Sequence, residues 1–262
     1  MIIDAHVHIW TRDFQEEKRT IEFARRHNVD KLCISNVAYR PIDKFEDCLG
    51  GNRELVEVMN RYPDLIVGFA YVNPRHGDLA VRELRECVEQ FGMKGMKLLS
   101  NCYCNELIVF PLIEKTIELD IPTLIHCGHV PHEPKGEETG IYCSDPVQVA
   151  ELAQKYPEAK IIQAHVGGGG IWEWAIKAIR DCPNVFLDLS GSVCDLGIVE
   201  MCIAELGAHR IVWGTDGSLY SCLGKIYGAE ISEENRRLIL GSNMAKLLRI
   251  TARGELREGV LR

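Results

Sequence analysis

His6 and His8 lie two residues apart at the end of the apolar run MIIDAHVHIW. In a β-strand, residues i and i+2 share a face, so the two imidazoles converge. A converging pair of neutral imidazoles is a ready chelate for a divalent metal. The doublet alone fits equally well with two histidines satisfied by hydrogen bonds. Other polar residues end later apolar runs: Lys97 in GMKGMKLLS, His126 in IPTLIHCG, His165 in AKIIQAHVGG and Asp216 in RIVWGTDG. Each has an ordinary reading by itself, Asp216 as a turn aspartate and His126 as a donor to a nearby carbonyl. Gathered in one place they would be costly to bury unless they satisfied one another or a metal, which favours a metal site with acid–base groups.

Those residues need elements that converge. Eight short apolar runs, at 1–9, 31–37, 65–72, 92–100, 121–128, 159–168, 184–191 and 210–217, alternate with helical patterns. The spacing predicts helices over Glu16 to His27 and Asn52 to Tyr62, and along the stripe Leu79, Leu84, Cys87, Val88 and Phe91. Ser144, Asp145 and Pro146 read as a cap followed by a first-turn proline, and a closing helix is expected from Ser232 to Arg249. The runs are almost wholly apolar, as parallel strands covered on both faces should be. Eight strand–helix units in 262 residues predict an α/β fold, a (β/α)8 barrel of one domain spanning 1–262, with an open doubly wound sheet as the architectural alternative. In such a barrel the functional groups stand at the C-terminal ends of the strands, where the residues above fall.

Composition narrows the partners. The net charge is −8 and no basic run occurs, which argues against nucleic acid. No apolar run approaches a membrane span, and no basic segment leads into an apolar one at the start, so a cytoplasmic protein with no membrane partner is expected. Eleven scattered cysteines, an odd number, read as reduced thiols and not as a disulfide framework.

The order HxH after strand one, His126 after strand five, His165 after strand six and Asp216 after strand eight resembles the amidohydrolase superfamily, and within it the amidohydrolase-related (amidohydrolase 2) branch. The stretches DAHVHIW, VGFAYVNP, GMKGMKLLS, IPTLIHCGH, AHVGGGGIWEWAIKAIRDCPNVFLDLSG, IVWGTDG and ILGSNMAKLLRI carry the resemblance across nearly the whole chain. It implies a distorted (β/α)8 barrel. It also implies one divalent metal, zinc by donor set with manganese or another divalent ion as the alternative, held by His6, His8, His126 and Asp216. Asp216 and His165 would then be catalytic: Asp216 would move a proton, and His165 would orient water or polarise a carbonyl. In two-metal relatives the lysine at the position of Lys97 bridges the metals as a carbamate, with His126 and His165 on the second ion. One metal is the favoured reading here, and Lys97 could also contact substrate or pair with a carboxylate.

The remaining candidates are less specific. Trp10, Arg40, Tyr103 and His129 are possible substrate-binding residues. His132 joins His129 on one loop, and Cys102 and Cys104 flank Tyr103 near the expected barrel mouth. The glycine run Gly167 to Gly170 reads as a tight turn behind His165 that could cradle an anion with backbone N–H groups. The expected function is hydrolysis of a small lactone, ester or amide by a metal-activated water. A non-oxidative decarboxylase of an unsaturated or aromatic carboxylate is the alternative. A TatD-like nuclease is disfavoured because those proteins usually carry glutamate where this chain has GMKGMKLLS. The partner is then a small-molecule substrate, and a homodimer is possible.

Overall fold

The computed structural model describes residues 1–9, 14–37, 44–129 and 141–250. Its strands are β1 (Ile3–His8), β2 (Lys31–Ser35), β3 (Ile66–Tyr71), β4 (Gly95–Leu98), β5 (Thr123–Ile125), β6 (Ile161–Gln163), β7 (Val185–Asp188) and β8 (Ile211–Val212). All pair in parallel in sequence order, giving one eight-stranded sheet. Backbone bonds from Ala5 N to Trp213 O (2.9 Å) and from Asp216 N to His6 O (2.7 Å) join the last strand's continuation to β1. The sheet thereby becomes the expected (β/α)8 barrel.

Helices cover the outside: α1 (Phe14–Arg26), α2 (Phe45–Arg61), α3 (Asp78–Glu89), α4 (Phe110–Glu118), α5 (Pro146–Lys155), α6 (Trp172–Ala178), α7 (Ile198–Leu206), α8 (Leu219–Gly228), α9 (Glu233–Arg237) and α10 (Asn243–Leu248). Helix α5 starts as the sequence implied. Asp145 accepts from Val147 N, the Gln148 side chain returns to Asp145 N, and Pro146 sits in the first turn. Helix α2 begins seven residues earlier than expected, at Phe45 rather than Asn52. Gly50 and Gly51, which disfavour a helix interior, hid that first part. The Asn36 side chain donates to Gly51 O at 3.1 Å, which ties this part of the helix to the end of β2. The expected closing helix is interrupted by a π turn at Leu238–Ser242, between α9 and α10.

Two apolar layers follow from the period of two. Leu32, Ile34, Met96, Leu98, Ile161, Leu187 and Ile211 face outward and pack with helix residues such as Leu55, Leu84 and Leu112. Ile3, Ala5, Cys33, Val67, Phe69, Leu124, Ile162, Ala164 and Val212 fill the lumen, with Met244, Leu247 and Leu248 of α10 packed against them. Above that lumen layer the next inward positions are polar, and they form the site.

Strand β1 changes face partway. Ile3 and Ala5 belong to the lumen, whereas Val7 and Ile9 belong to the helix-facing layer. The switch is a bulge: Asp4 pairs with Leu32 but Val7 pairs with Ile34, so β1 uses three steps where β2 uses two. The extra residue lets β1 fill the lumen with Ile3 and Ala5 and still turn His6 and His8 inward above them.

Candidate active site

His6 is fully buried, and its Nδ1 lies 2.8 Å from Asp188 Oδ2. A carboxylate only accepts, so His6 carries its proton on Nδ1 and its lone pair on Nε2. Nδ1 of His8 lies 3.0 Å from the backbone carbonyl of Ser35, which assigns the same tautomer to His8. The two Nε2 atoms then face each other at 3.1 Å, lone pair toward lone pair. Burial and the nearby Lys97 charge push the pKa of His8 down to about 3 and that of His6 well below the usual imidazole range, so neither relieves the repulsion by protonation.

Asp216 completes a triangle. Its Oδ1 lies 3.6 Å from His6 Nε2 and 3.4 Å from His8 Nε2. Ligands on a tetrahedral zinc are roughly 3.3 Å apart, and on an octahedral ion of slightly longer bonds about 3 Å apart. Edges of 3.1, 3.4 and 3.6 Å therefore match a metal coordination shell. Two opposed lone pairs beside a carboxylate are a donor set that a divalent cation satisfies, and the residues present fit one.

The other expected groups stand around this triangle. His165 Nδ1 lies 3.3 Å from Asp216 Oδ2, so His6, His165 and Asp216 each offer a ligand atom within 4.8 Å of the others. His126 meets the cluster through His165, with Nδ1 2.8 Å from His165 Nε2, and burial holds its pKa at about 3. Lys97 is wholly buried with Nζ 3.0 Å from His6 Nε2, and burial lowers its pKa to about 8. Asp216 has the most open side chain of the triangle, 28% exposed against 0% for His6 and 12% for His8. Burial raises its pKa, and the Lys97 charge opposes that.

His165 and Asp216 share an unusual backbone. Both have positive φ, +66° and +45°, a region that few residues other than glycine adopt, aspartate more readily than most. By alternation from Ile162 and Ala164, His165 would point toward the helices. The left-handed turn swings it back over the lumen, and the glycines behind it make room. Gly167 N donates to Ser190 O, and Gly168 and Gly169 N donate to His165 O. The expected anion cradle is therefore corrected for these three groups, because their N–H bonds close the turn.

Tyr103 and His129 lie on loops after β4 and β5. The Tyr103 ring meets Tyr142 edge-on at 5.4 Å. His129 Nδ1 hydrogen-bonds Asp145, and its ring lies against Trp174. Cys102 and Cys104 are buried, so neither presents a thiol at the mouth. Trp10, Arg40 and His132 lie outside the described residues. Among the described residues no helix is long and apolar enough to cross a membrane.

Sequence reasoning missed three buried polar groups. Asp188 and Ser190 lie beneath His6 and His165, and Asp4 accepts from His6 N (3.1 Å), Thr215 N (3.0 Å) and Thr215 Oγ1 (2.6 Å), tying β1 to the turn that carries Asp216. The rule that found Lys97 also marks NVFLDLSG, where an acid and a hydroxyl two residues apart end an apolar run. Gly214 allows Asp188 to sit there, since a Cβ at 214 would lie 2.2 Å from its Oδ1.

The depressed histidines make acid stability testable. Their folded pKa values lie below the unfolded value, so the unfolded chain binds more protons once the pH falls below about 6.5, and stability is lost as the pH drops further. Asp4 and Asp188, raised by burial to about 8 and about 6, act with the opposite sign, so a difference between variants isolates one histidine. His8→Asn is expected to reduce the pH slope of metal-free unfolding free energy by about 1.4 kcal/mol per pH unit below pH 6. Denaturant titrations of chelator-treated protein between pH 7 and 5 measure it, and an unchanged slope would show that His8 is not held neutral.

A family model described as Amidohydrolase matches residues 3–250. Gamma-resorcylate decarboxylase from a Polaromonas species is 26% identical over 247 residues, covering 76% of this chain and 75% of that one. The solved 5-carboxyvanillate decarboxylase of Sphingomonas paucimobilis superposes with a TM-score of 0.75 at 16% identity, over 95% of this chain and 99% of that one. A dihydroxybenzoic acid decarboxylase from a Polaromonas species, solved with manganese and 2-nitroresorcinol, superposes with a TM-score of 0.72 at 19% identity, over 97% of this chain and 98% of that one. At those identities the two structures establish the shared fold.

Proposed function

From a chain that belongs to the amidohydrolase family, and one of whose sequence relatives is a decarboxylase, we propose a metal-dependent, non-oxidative decarboxylase of a small aromatic or unsaturated carboxylate. The observation that carries this reading is the placement of Asp216: it edges the ligand triangle, burial raises its pKa, and it is the most open of the three side chains. A carboxyl so placed suits proton donation to a substrate carbon. The named activity of that relative supports this reaction over hydrolysis of a lactone, ester or amide, which was the first expectation from the sequence.

His6, His8 and Asp216, with His126, would hold the ion. The imidazole-rich set suits zinc, whereas the related decarboxylase structure holds manganese, so the identity of the metal is a matter for elemental analysis. When bound, a divalent ion supplies Lewis-acid anchoring of the substrate's oxygen atoms. The chain's own groups then do the proton chemistry. Asp216 gives a proton to the carbon bearing the carboxylate, forming a C–H bond. The bond to the carboxylate breaks, its electron pair returns to the ring or alkene, and carbon dioxide leaves. His165 Nδ1, 3.3 Å from Asp216 Oδ2, stabilises the carboxylate that remains until solvent reprotonates it. The Lys97 amine adds positive potential that favours an anionic substrate.

The test is incubation of metal-reconstituted protein with 2,6-dihydroxybenzoate and 5-carboxyvanillate in D2O. Carbon dioxide release and one deuterium at the vacated carbon are expected. Opening of a lactone panel without carbon dioxide release from any aromatic or unsaturated acid would reverse the assignment to hydrolysis.

A further inference from the structure

The proton steps above make no use of Asp188 and Ser190, yet both are fully buried at the end of β7, directly against two of the histidines. Asp188 Oδ1 accepts from Ser190 N at 2.9 Å. Its Oδ2 accepts from Ser190 Oγ at 2.5 Å and from His6 Nδ1 at 2.8 Å. A hydroxyl has one hydrogen, and Asp188 takes it. Toward His165 Nδ1, 3.3 Å away, Ser190 Oγ is therefore an acceptor. The Asp216 carboxylate on the same nitrogen also accepts. His165 must then carry its proton on Nδ1 and its lone pair on Nε2. That lone pair faces His126 Nδ1 at 2.8 Å, so His126 donates and keeps its own lone pair on Nε2.

We propose that Asp188, acting through Ser190, is the positioning residue that fixes the proton positions of His6, His165 and, one ring further on, His126. The carboxylate thereby assigns each imidazole its task. His6 and His126 are left with Nε2 lone pairs for a cation, and His165 is left with an N–H directed at Asp216. Proximity alone would group His165 with His6 and Asp216 as ligands. The hydrogen-bond bookkeeping instead makes His165 a donor and His126 the ligand-type ring. This inference rests on the cluster being a metal centre and holds for either reaction.

Asp188→Asn cannot reproduce the pattern, because one amide position donates and must face either Ser190 N or the Ser190 and His6 donors. Ser190→Ala removes the hydroxyl that joins Asp188 to His165 and leaves the direct bond from His6 Nδ1 to Asp188 Oδ2 in place. Two readouts test this. Long-range 1H–15N spectra of the metal-free protein report which nitrogen of each imidazole is protonated, and chelator competition with Mn2+ and Zn2+ reports affinity. Asp188→Asn is expected to scramble the His6 and His165 tautomers and to weaken metal binding about 10- to 100-fold. Ser190→Ala should disturb His165 and His126 while leaving His6 on Nδ1–H, and Ser190→Thr, which keeps the hydroxyl, should restore the pattern. Wild-type tautomers and affinities within twofold in both Asp188→Asn and Ser190→Ala would overturn the inference. If Asp188→Asn fails to fold, Ser190→Ala decides. A wild-type protein without metal affinity would instead remove the metal-centre reading, and the metal-free spectra would still decide this one.

Discussion

Asp216→Asn is expected to lower the rate of carbon dioxide release about 10³-fold at saturating metal, the scale of a lost general acid. The substitution isolates the proton. Asparagine matches aspartate in size and is among the few residues that accept φ near +45°, so the turn and its bond from residue 216 N to His6 O should persist. The amide keeps an oxygen toward His6 and His8, but it has no acidic hydrogen to deliver to carbon. Because Asp216 Oδ1 lies beside the Nε2 atoms of His6 and His8, the rate must be measured at several metal concentrations, with metal content determined alongside. A variant that holds its metal and keeps a rate within tenfold of wild type would move the donor role to His165. His165→Gln should then show the large loss.

Gly191→Ala should produce the largest change in stability, about 3 kcal/mol or more, lowering Tm by about 10 °C. Gly191 has φ of +102°, and a Cβ there would lie 2.4 Å from the carbonyl carbon and oxygen of Gly167 and 2.5 Å from Gly168 N. Those atoms are backbone of the turn that swings His165 inward, so neither side can yield by rotating a side chain. The contrast is Gly224→Ala within α8, where a Cβ meets nothing within 4 Å. That change should be neutral or stabilising by up to about 1 kcal/mol, since alanine is the better helix former. Calorimetric melting of both metal-free variants measures the pair. Equal Tm values would mean that the contact between the β6 and β7 ends is loose.

Much of this arrangement was legible in the sequence because one rule governs it: polar residues that end buried runs stand at the barrel mouth. Lys97 and His126 obey it simply, lying in register with Gly95 and Leu124 on the inner face. His165 reaches the mouth for a reason alternation cannot supply, a left-handed residue after β6. Strand β8 pairs formally over two residues, yet its polar continuation is fixed by bonds to β1 that no local pattern encodes. Asp188 and Ser190 satisfied the rule and were passed over because acids and serines at a strand end also read as turn residues. The roles of His126 and His165 came from the resemblance alone, because the local sequence does not say where their hydrogens sit: the Ser190 hydroxyl that faces His165 is 25 residues away in the chain.

The bulge in β1 makes one integer matter. Between Asp4 and Val7 the strand takes three steps against two in its neighbour, and that surplus of one puts apolar residues in the lumen below and imidazoles in the lumen above. Without that surplus step, strict alternation continued from Ile3 and Ala5 would turn both histidines toward the helices. Loops above a barrel mouth tolerate insertions and deletions. A change of length there leaves the barrel floor as it is, whereas in β1 an offset of one residue, odd or even, decides which face the two histidines present.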